Sequence, residues 1–182
     1  MSDNELILQE IAELKKRVQR QEDIEAIRRL RRQYAERADG GWPEHNGGRT
    51  HDSSFADLFT EDGIQDEGKV GPRMVGRETI RELFSSEGMA RIPFTMHFMM
   101  NDSITINDDG KTGQGEWHVL VTMTAPDGAA MISVGYYHDK YEKDPEKGWL
   151  FKEVKIETGR TGFLNSGKPF EWELIDEDVS AR

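Results

Sequence analysis

The sequence has no cysteine among its 182 residues. This rules out disulfides, thiol nucleophiles and thiolate-ligated zinc, and it fits a reducing compartment. No apolar run approaches the roughly eighteen residues that a membrane-spanning helix requires. The first residues, Met1-Ser-Asp-Asn-Glu5, lack the cationic segment and apolar stretch of a secretory leader. A cytoplasmic protein with no membrane partner is expected. A glycine-rich phosphate loop, a dinucleotide fingerprint, His-Glu-x-x-His and Gly-x-Ser-x-Gly are all missing. A mechanism without cofactors is the simplest expectation.

Positive charge is also scarce. Lys and Arg number 24 against 35 Asp and Glu, a formal net charge of −11, so a polyanion would be repelled and no nucleic-acid partner is expected. The one basic cluster, Arg28, Arg29, Arg31 and Arg32, surrounds Leu30 and reads as the solvated flank of an amphipathic helix. Hydrophobic residues make up 35% of the chain, enough for one core if an arm or tail stays in water.

Periodicity divides the chain into a helical half and a strand half. Ile7, Ile11, Leu14 and Val18 form the stripe of one amphipathic helix. Asp23 can cap a second, with the stripe Ile24, Ile27, Leu30 and Tyr34, before Gly40-Gly41 stops it. Residues 40–53 are Gly-rich with a proline and read as a loop. Phe55–Thr60 reads as a short helix, Gly63–Asp66 as a short strand and Gly76–Ser85 as a helix carrying Ile80, Leu83 and Phe84. Segments 94–107, 112–124, 129–142 and 149–158 are rich in Val, Ile, Thr, Tyr and Phe, with hairpin turns between them. Helices followed by a meander predict an α+β domain: a strongly curved antiparallel sheet wrapped around N-terminal helices. The expected organisation is an N-terminal amphipathic helix extension (1–21), a central domain (22–158) and a C-terminal extension (159–182). Phe163, Leu164, Phe170 and Trp172 in that extension would pack along a neighbouring surface.

Three stretches carry the candidate chemistry: Tyr34 to Asp39 at the end of the basic helix, Phe55-Ala-Asp-Leu-Phe59-Thr-Glu-Asp62-Gly63, and Thr95-Met-His97-Phe-Met-Met-Asn101. Their order resembles the SnoaL-like branch of the nuclear-transport-factor-two-like superfamily, which contains scytalone dehydratase, bile-acid dehydratases and lindane dehydrochlorinase. The resemblance covers roughly residues 22–158 and implies a cone-shaped α+β barrel. In the enzymes of that family an Asp closing the helix meets a His on the first long strand, and here those positions are Asp39 and His97. The resemblance also implies a pocket Tyr at Tyr34 and, as in scytalone dehydratase, a second pocket His at His118. Scytalone dehydratase has an Asp directly after its Tyr. Ala35 stands there in this chain, which argues against scytalone as the substrate.

The residues themselves leave alternatives open. A buried His97 needs a partner for its ring N–H, and a carboxylate such as Asp39 would fix the tautomer and raise the basicity of the other nitrogen. Asp39 facing water and a His satisfied in the core is the plain alternative. Strand alternation puts His97, Met99 and Asn101 on one face, where Asn101 would orient a carbonyl or hydroxyl. It would equally cap the strand end. His118 shares a face with Glu116 and Leu120, either inside the cavity, with Leu120 against the substrate, or on the outer side of the sheet. The Tyr34 hydroxyl would stabilise developing negative charge or simply sit wet at the end of a buried ring. Met96, Met99 and Met100 would give a soft apolar pocket for an aromatic or polycyclic substrate.

His45, His51 and Asp52 match no strong metal-ligand spacing, so no metal is expected. The expected activity is a lyase, with an isomerase or cyclase of steroid- or polyketide-like substrates, or a non-catalytic small-molecule-binding module, as alternatives. The apolar stripe of the first helix, the exposed sheet face and the aromatic C-terminal extension predict a homo-oligomer, and the resemblance implies a trimer in preference to a dimer.

Overall fold

The structure is a computed structural model that describes residues 2–40, 53–85, 92–124, 128–164 and 172–174. One uninterrupted helix, α1 (Asp3–Ala38), replaces the two predicted from the sequence. Its start is fixed by a capping box: the Ser2 backbone N–H donates to Glu5 Oε2 at 2.7 Å, and the Glu5 N–H donates to Ser2 Oγ at 3.4 Å. The expected break at Asp23 does not occur, because neither Gly nor Pro interrupts the helix there. The Asp23 carboxylate is instead drawn sideways to the sheet, where Oδ1 accepts from Lys143 Nζ at 2.7 Å and Trp149 Nε1 at 2.9 Å.

From Asp23 onward α1 buries Ile27, Leu30, Arg31, Tyr34 and Ala38. Before it, Leu6, Ile7, Leu8, Ile11, Leu14 and Val18 stay exposed. Arg31 corrects the reading of the basic cluster as solvated. It is fully buried and pairs with Asp139, itself buried. Its guanidinium carbon lies 4.4, 4.9 and 4.6 Å from the ring centres of Tyr34, Tyr137 and Phe151. Aromatic faces therefore surround the cation where water would otherwise be. Asp139 Oδ2 accepts from the Tyr141 hydroxyl at 2.6 Å, which in turn accepts from Trp117 Nε1 at 3.0 Å.

A 3-10 helix (Ser53–Leu58) leads into β1 (Phe59–Asp66), followed by β2 (Arg73–Val75) and α2 (Arg77–Ser85). The meander comprises β3 (Phe94–Ile106), β4 (Thr112–Thr124), β5 (Ala130–Asp144) and β6 (Gly148–Leu164), and β7 (Trp172–Leu174) pairs with β6. The path through the sheet is β2-β1-β6-β5-β4-β3. The sheet is mixed rather than wholly antiparallel, because β1 and β6 run parallel. These two strands are joined through the rest of the meander, not by a hairpin, so a parallel pairing is open to them. The sheet curves without closing. Register shifts between Met100 and Ser103, Val134 and Gly135, and Lys140 and Tyr141 mark where its strands bend. At Gly135 a Cβ would stand 2.1 Å from the Glu157 carbonyl oxygen, an approach only glycine tolerates.

The core fills the concave face. Phe55 of the 3-10 helix stacks on Phe84 of α2 at 3.9 Å, and Tyr34 meets Phe55 and Phe151 edge-on at 4.7 and 5.6 Å. Burying a side chain of this size contributes about 1.5–3 kcal/mol. Strand β6 runs to Leu164, past the position where the C-terminal extension was expected to begin. The loop histidines His45 and His51, Asp52 and Phe170 lie outside the described residues, and of Trp172 only the strand backbone is described. Among the described residues no helix is long and apolar enough to cross a membrane.

Candidate active site

The end of α1 and the edge of β3 meet through the backbone. Asp39 closes the helix, its N–H donating to Ala35 O at 2.8 Å, and the chain then turns extended. Gly40 and Thr95 exchange backbone hydrogen bonds, 3.2 Å from Gly40 N–H and 3.1 Å from Thr95 N–H. β3 is the last strand on the sheet path, so its next edge N–H, that of His97, is available too. Asp39 Oδ1 takes it at 2.9 Å, and the same oxygen lies 2.7 Å from His97 Nδ1. With a carboxylate as its partner Nδ1 carries the proton, which leaves Nε2 with a lone pair. Both side chains are nearly enclosed, at 12% and 13% exposure, where such a hydrogen bond is stronger than in water.

His97 lies opposite Val121 and Met99 opposite Val119, and both valines are buried on the concave face. Met99 packs against the core beside them. The Tyr34 ring stands edge-on to the His97 imidazole at 6.3 Å between centres. Its hydroxyl accepts from Gln65 Nε2 at 2.8 Å and has the Tyr137 side chain as a second hydrogen-bond partner. Burial, reinforced by the charge of Glu67, pushes the Tyr34 phenol well above its ordinary value and keeps it protonated.

Two participants escaped the sequence reading. Gln65 is fully buried, and its amide nitrogen donates both to Tyr34 and, at 2.8 Å, to Glu67 Oε1. The Glu67 carboxyl is pushed above its ordinary range, first by burial and in lesser part by neighbouring Asp66, against the opposing pull of Gln65 and His97. Gln65 occupies an inward position of β1, and Glu67 follows two residues later, just beyond the end of the strand.

The remaining expected site residues are not brought to His97. At the bulge after Met100 the backbone of Asn101 adopts φ 51°, which breaks the two-residue alternation. Asn101 is therefore exposed, its Nδ2 3.2 Å from His118 Nδ1, while Asp102 ion-pairs with Arg28. His118 lies on the convex face between Met100 and Tyr136, because the inward positions of β4 belong to Trp117, Val119 and Val121. Leu120 shares that convex face, opposite Phe98 and Val134. Met96 and Met100 alternate with His97 and face outward as well. Among the described residues no three His, Asp or Glu side chains are grouped to hold a metal ion.

An open α+β cone whose first long helix ends against the edge strand of a curved sheet defines the class of nuclear-transport-factor-two-like domains. The chain belongs to the family described as the SnoaL-like domain, which it matches over residues 19–155. No curated protein matches it in sequence. Among solved structures it is similar to a protein of Novosphingobium aromaticivorans provisionally named an aromatic ring hydroxylase. The two are 25% identical with a TM-score of 0.62, over 84% of this chain and 94% of that one. A protein of the same organism provisionally named a scytalone dehydratase is 20% identical, TM-score 0.65, over 83% and 97%. A type 2 hexachlorocyclohexane dehydrochlorinase is 15% identical, TM-score 0.67, over 82% and 93%, so these last two likenesses concern the fold.

Proposed function

We propose that the protein is a lyase that works without a cofactor on a hydrophobic aromatic or polycyclic substrate. His97 Nε2, oriented through Asp39, takes a proton from an activated carbon, and a small group leaves the neighbouring carbon. Water is the leaving group we favour; formaldehyde or halide would use the same base. The Tyr34 hydroxyl, which accepts from Gln65, donates to the oxygen on which negative charge develops. Met99, Val119 and Val121 supply apolar contact beside the base.

The observation that carries this reading is the 2.7 Å contact of Asp39 with His97 Nδ1 in a nearly enclosed setting. The dehydratase and dehydrochlorinase names borne by two structurally similar proteins are eliminations of the same type, and they support the assignment. The test is to incubate the full chain with aromatic diols, hydroxysteroids and polyketide-like β-hydroxy ketones, following ultraviolet absorbance and product mass. A new conjugated product lighter by water, formaldehyde or hydrogen halide is expected. A product of unchanged mass would replace the lyase with an isomerase or cyclase, and binding without turnover across the panel would leave a binding module.

A further inference from the structure

The proposed base accounts for the proton removed, but a departing hydroxyl must also receive one. His118, the other histidine considered for that task, is on the far side of the sheet. Among the described residues Glu67 is the carboxyl joined to the Tyr34 hydroxyl through a shared hydrogen-bond donor, Gln65, and it also acts on His97, whereas Asp139 is paired with Arg31. The chain is forced to return it there. Gly68 follows at φ 61°, and a Cβ on it would stand 2.4 Å from the Ile156 carbonyl oxygen, so the turn closes tightly against β6. The Glu67 N–H donates to Pro72 O at 3.2 Å and its carbonyl accepts from the Val70 N–H at 3.2 Å, which pins the turn from both sides.

We infer that Glu67 is the general acid of the site, carrying a proton at neutral pH and handing it to the leaving hydroxyl while His97 takes the proton from carbon. The inference rests on the lyase reading and adds to it a residue and a leaving-group preference. Gln65 Nε2, which also donates to the Tyr34 hydroxyl, donates to Glu67 Oε1 at 2.8 Å, and a carboxyl held this way can carry its proton on Oε2. Gln65 Oε1 is buried with no hydrogen-bond partner among the described residues, an open acceptor for a substrate hydroxyl held beside Glu67. Tyr34 from α1, Tyr137 from β5, His97 from β3 and the adjacent Asp66 are the titratable groups that act on it or feel its charge. Burial acts in the direction that keeps its proton, against the pull of Gln65 and His97.

The step balances. The C–H electron pair becomes the new C=C bond, and its proton goes to His97 Nε2. The C–O pair leaves with the hydroxyl, which takes the Glu67 proton and departs as water. His97 is left as imidazolium and Glu67 as carboxylate, and transfer of one proton from the first to the second restores the site with no net exchange.

Isotope-edited infrared spectroscopy of the full chain with labelled glutamate tests the protonation directly. A carboxylic acid band at neutral pH that disappears in Glu67→Gln is expected, and Glu67→Asp, which shifts that band, gives the assignment should the glutamine variant fold poorly. Absence of any such band, with Glu67 ionised, would overturn the inference whatever the substrate. The second arm compares a β-hydroxy aryl ketone with its β-chloro counterpart. Glu67→Gln should slow loss of water about a hundredfold and loss of chloride by no more than about twofold, since chloride needs no proton to leave. His97→Ala should slow both. Equal slowing by Glu67→Gln with both leaving groups would overturn the acid role. Failure of the wild type with both ketones would count against the lyase reading instead, and the infrared band would still decide the state of Glu67.

Discussion

Asp39 Oδ1 accepts twice from His97, from the backbone N–H at 2.9 Å and from the ring at 2.7 Å. The backbone bond fixes where the carboxylate sits, and the ring bond fixes how the imidazole is turned. Asp39→Asn can keep part of the first through its amide oxygen but cannot hold charge against an imidazolium. Turnover in Asp39→Asn and His97→Ala should each fall about a hundredfold or more, the usual contribution of a positioned base, with circular dichroism unchanged. Wild-type rates in His97→Ala on a verified substrate would rule out proton abstraction by this residue.

His118→Ala and Asn101→Ala should leave turnover where it was. Both side chains are exposed on the convex face and touch each other, not the concave site. His118→Ala should alter stability by about 0.5 kcal/mol at most, and Asn101→Ala by about 1 kcal/mol because Asn101 sits at φ 51°. A tenfold loss of kcat in His118→Ala would show that the reacting groups use the other side of the sheet.

The helix end and the antiparallel meander were legible in the sequence because each follows from local chemistry. Gly40-Gly41 stops a helix, and β-rich segments separated by short turns pair as hairpins. Three things were not legible, for identifiable reasons. The Asn101 bulge inserts one residue into β3, and a strict two-residue alternation cannot anticipate it. Arg31 reads as a surface residue until Asp139, more than a hundred positions later, is folded against it. Gln65 and Glu67 lie in a short segment whose burial depends on the parallel pairing of β1 with β6, a contact set by the whole topology.

Asp23 joins the helix to the far end of the sheet, and its charge state should be visible in the acid limb of stability. Burial alone would raise its pKa. The hydrogen bonds from Lys143 and Trp149 outweigh it and hold the carboxyl below the ordinary value of 3.8. A depressed folded pKa gives stability that is fully present above the unfolded value and is lost as pH falls through the folded one. Asp23→Ala also strands the buried Trp149 N–H and should cost about 2–3 kcal/mol at neutral pH. Urea titrations should show the gap between wild type and variant closing at strongly acidic pH. A gap unchanged down to that range would mean that the interaction is not ionic.

Assembly is expected from what the described part of a single copy leaves uncovered. The first twenty residues of α1 project an apolar stripe, with Leu8 66%, Leu14 54% and Val18 57% exposed. The convex face adds Phe98 at 42% and Met100 at 43% on β3 and Tyr136 at 40% on β5. Isolated exposed leucines are ordinary, but two continuous apolar surfaces on one small domain are the mark of an interface. A homo-oligomer, with a trimer favoured over a dimer, is the expected state. The Leu14→Glu and Phe98→Glu variants should weaken it from opposite sides of the domain while leaving the fold intact, since neither residue belongs to the buried core. Light scattering at micromolar concentration is the measurement. A mass near that of one chain, 20.8 kDa, would refute assembly, because an interface of standard size holds partners together at that concentration.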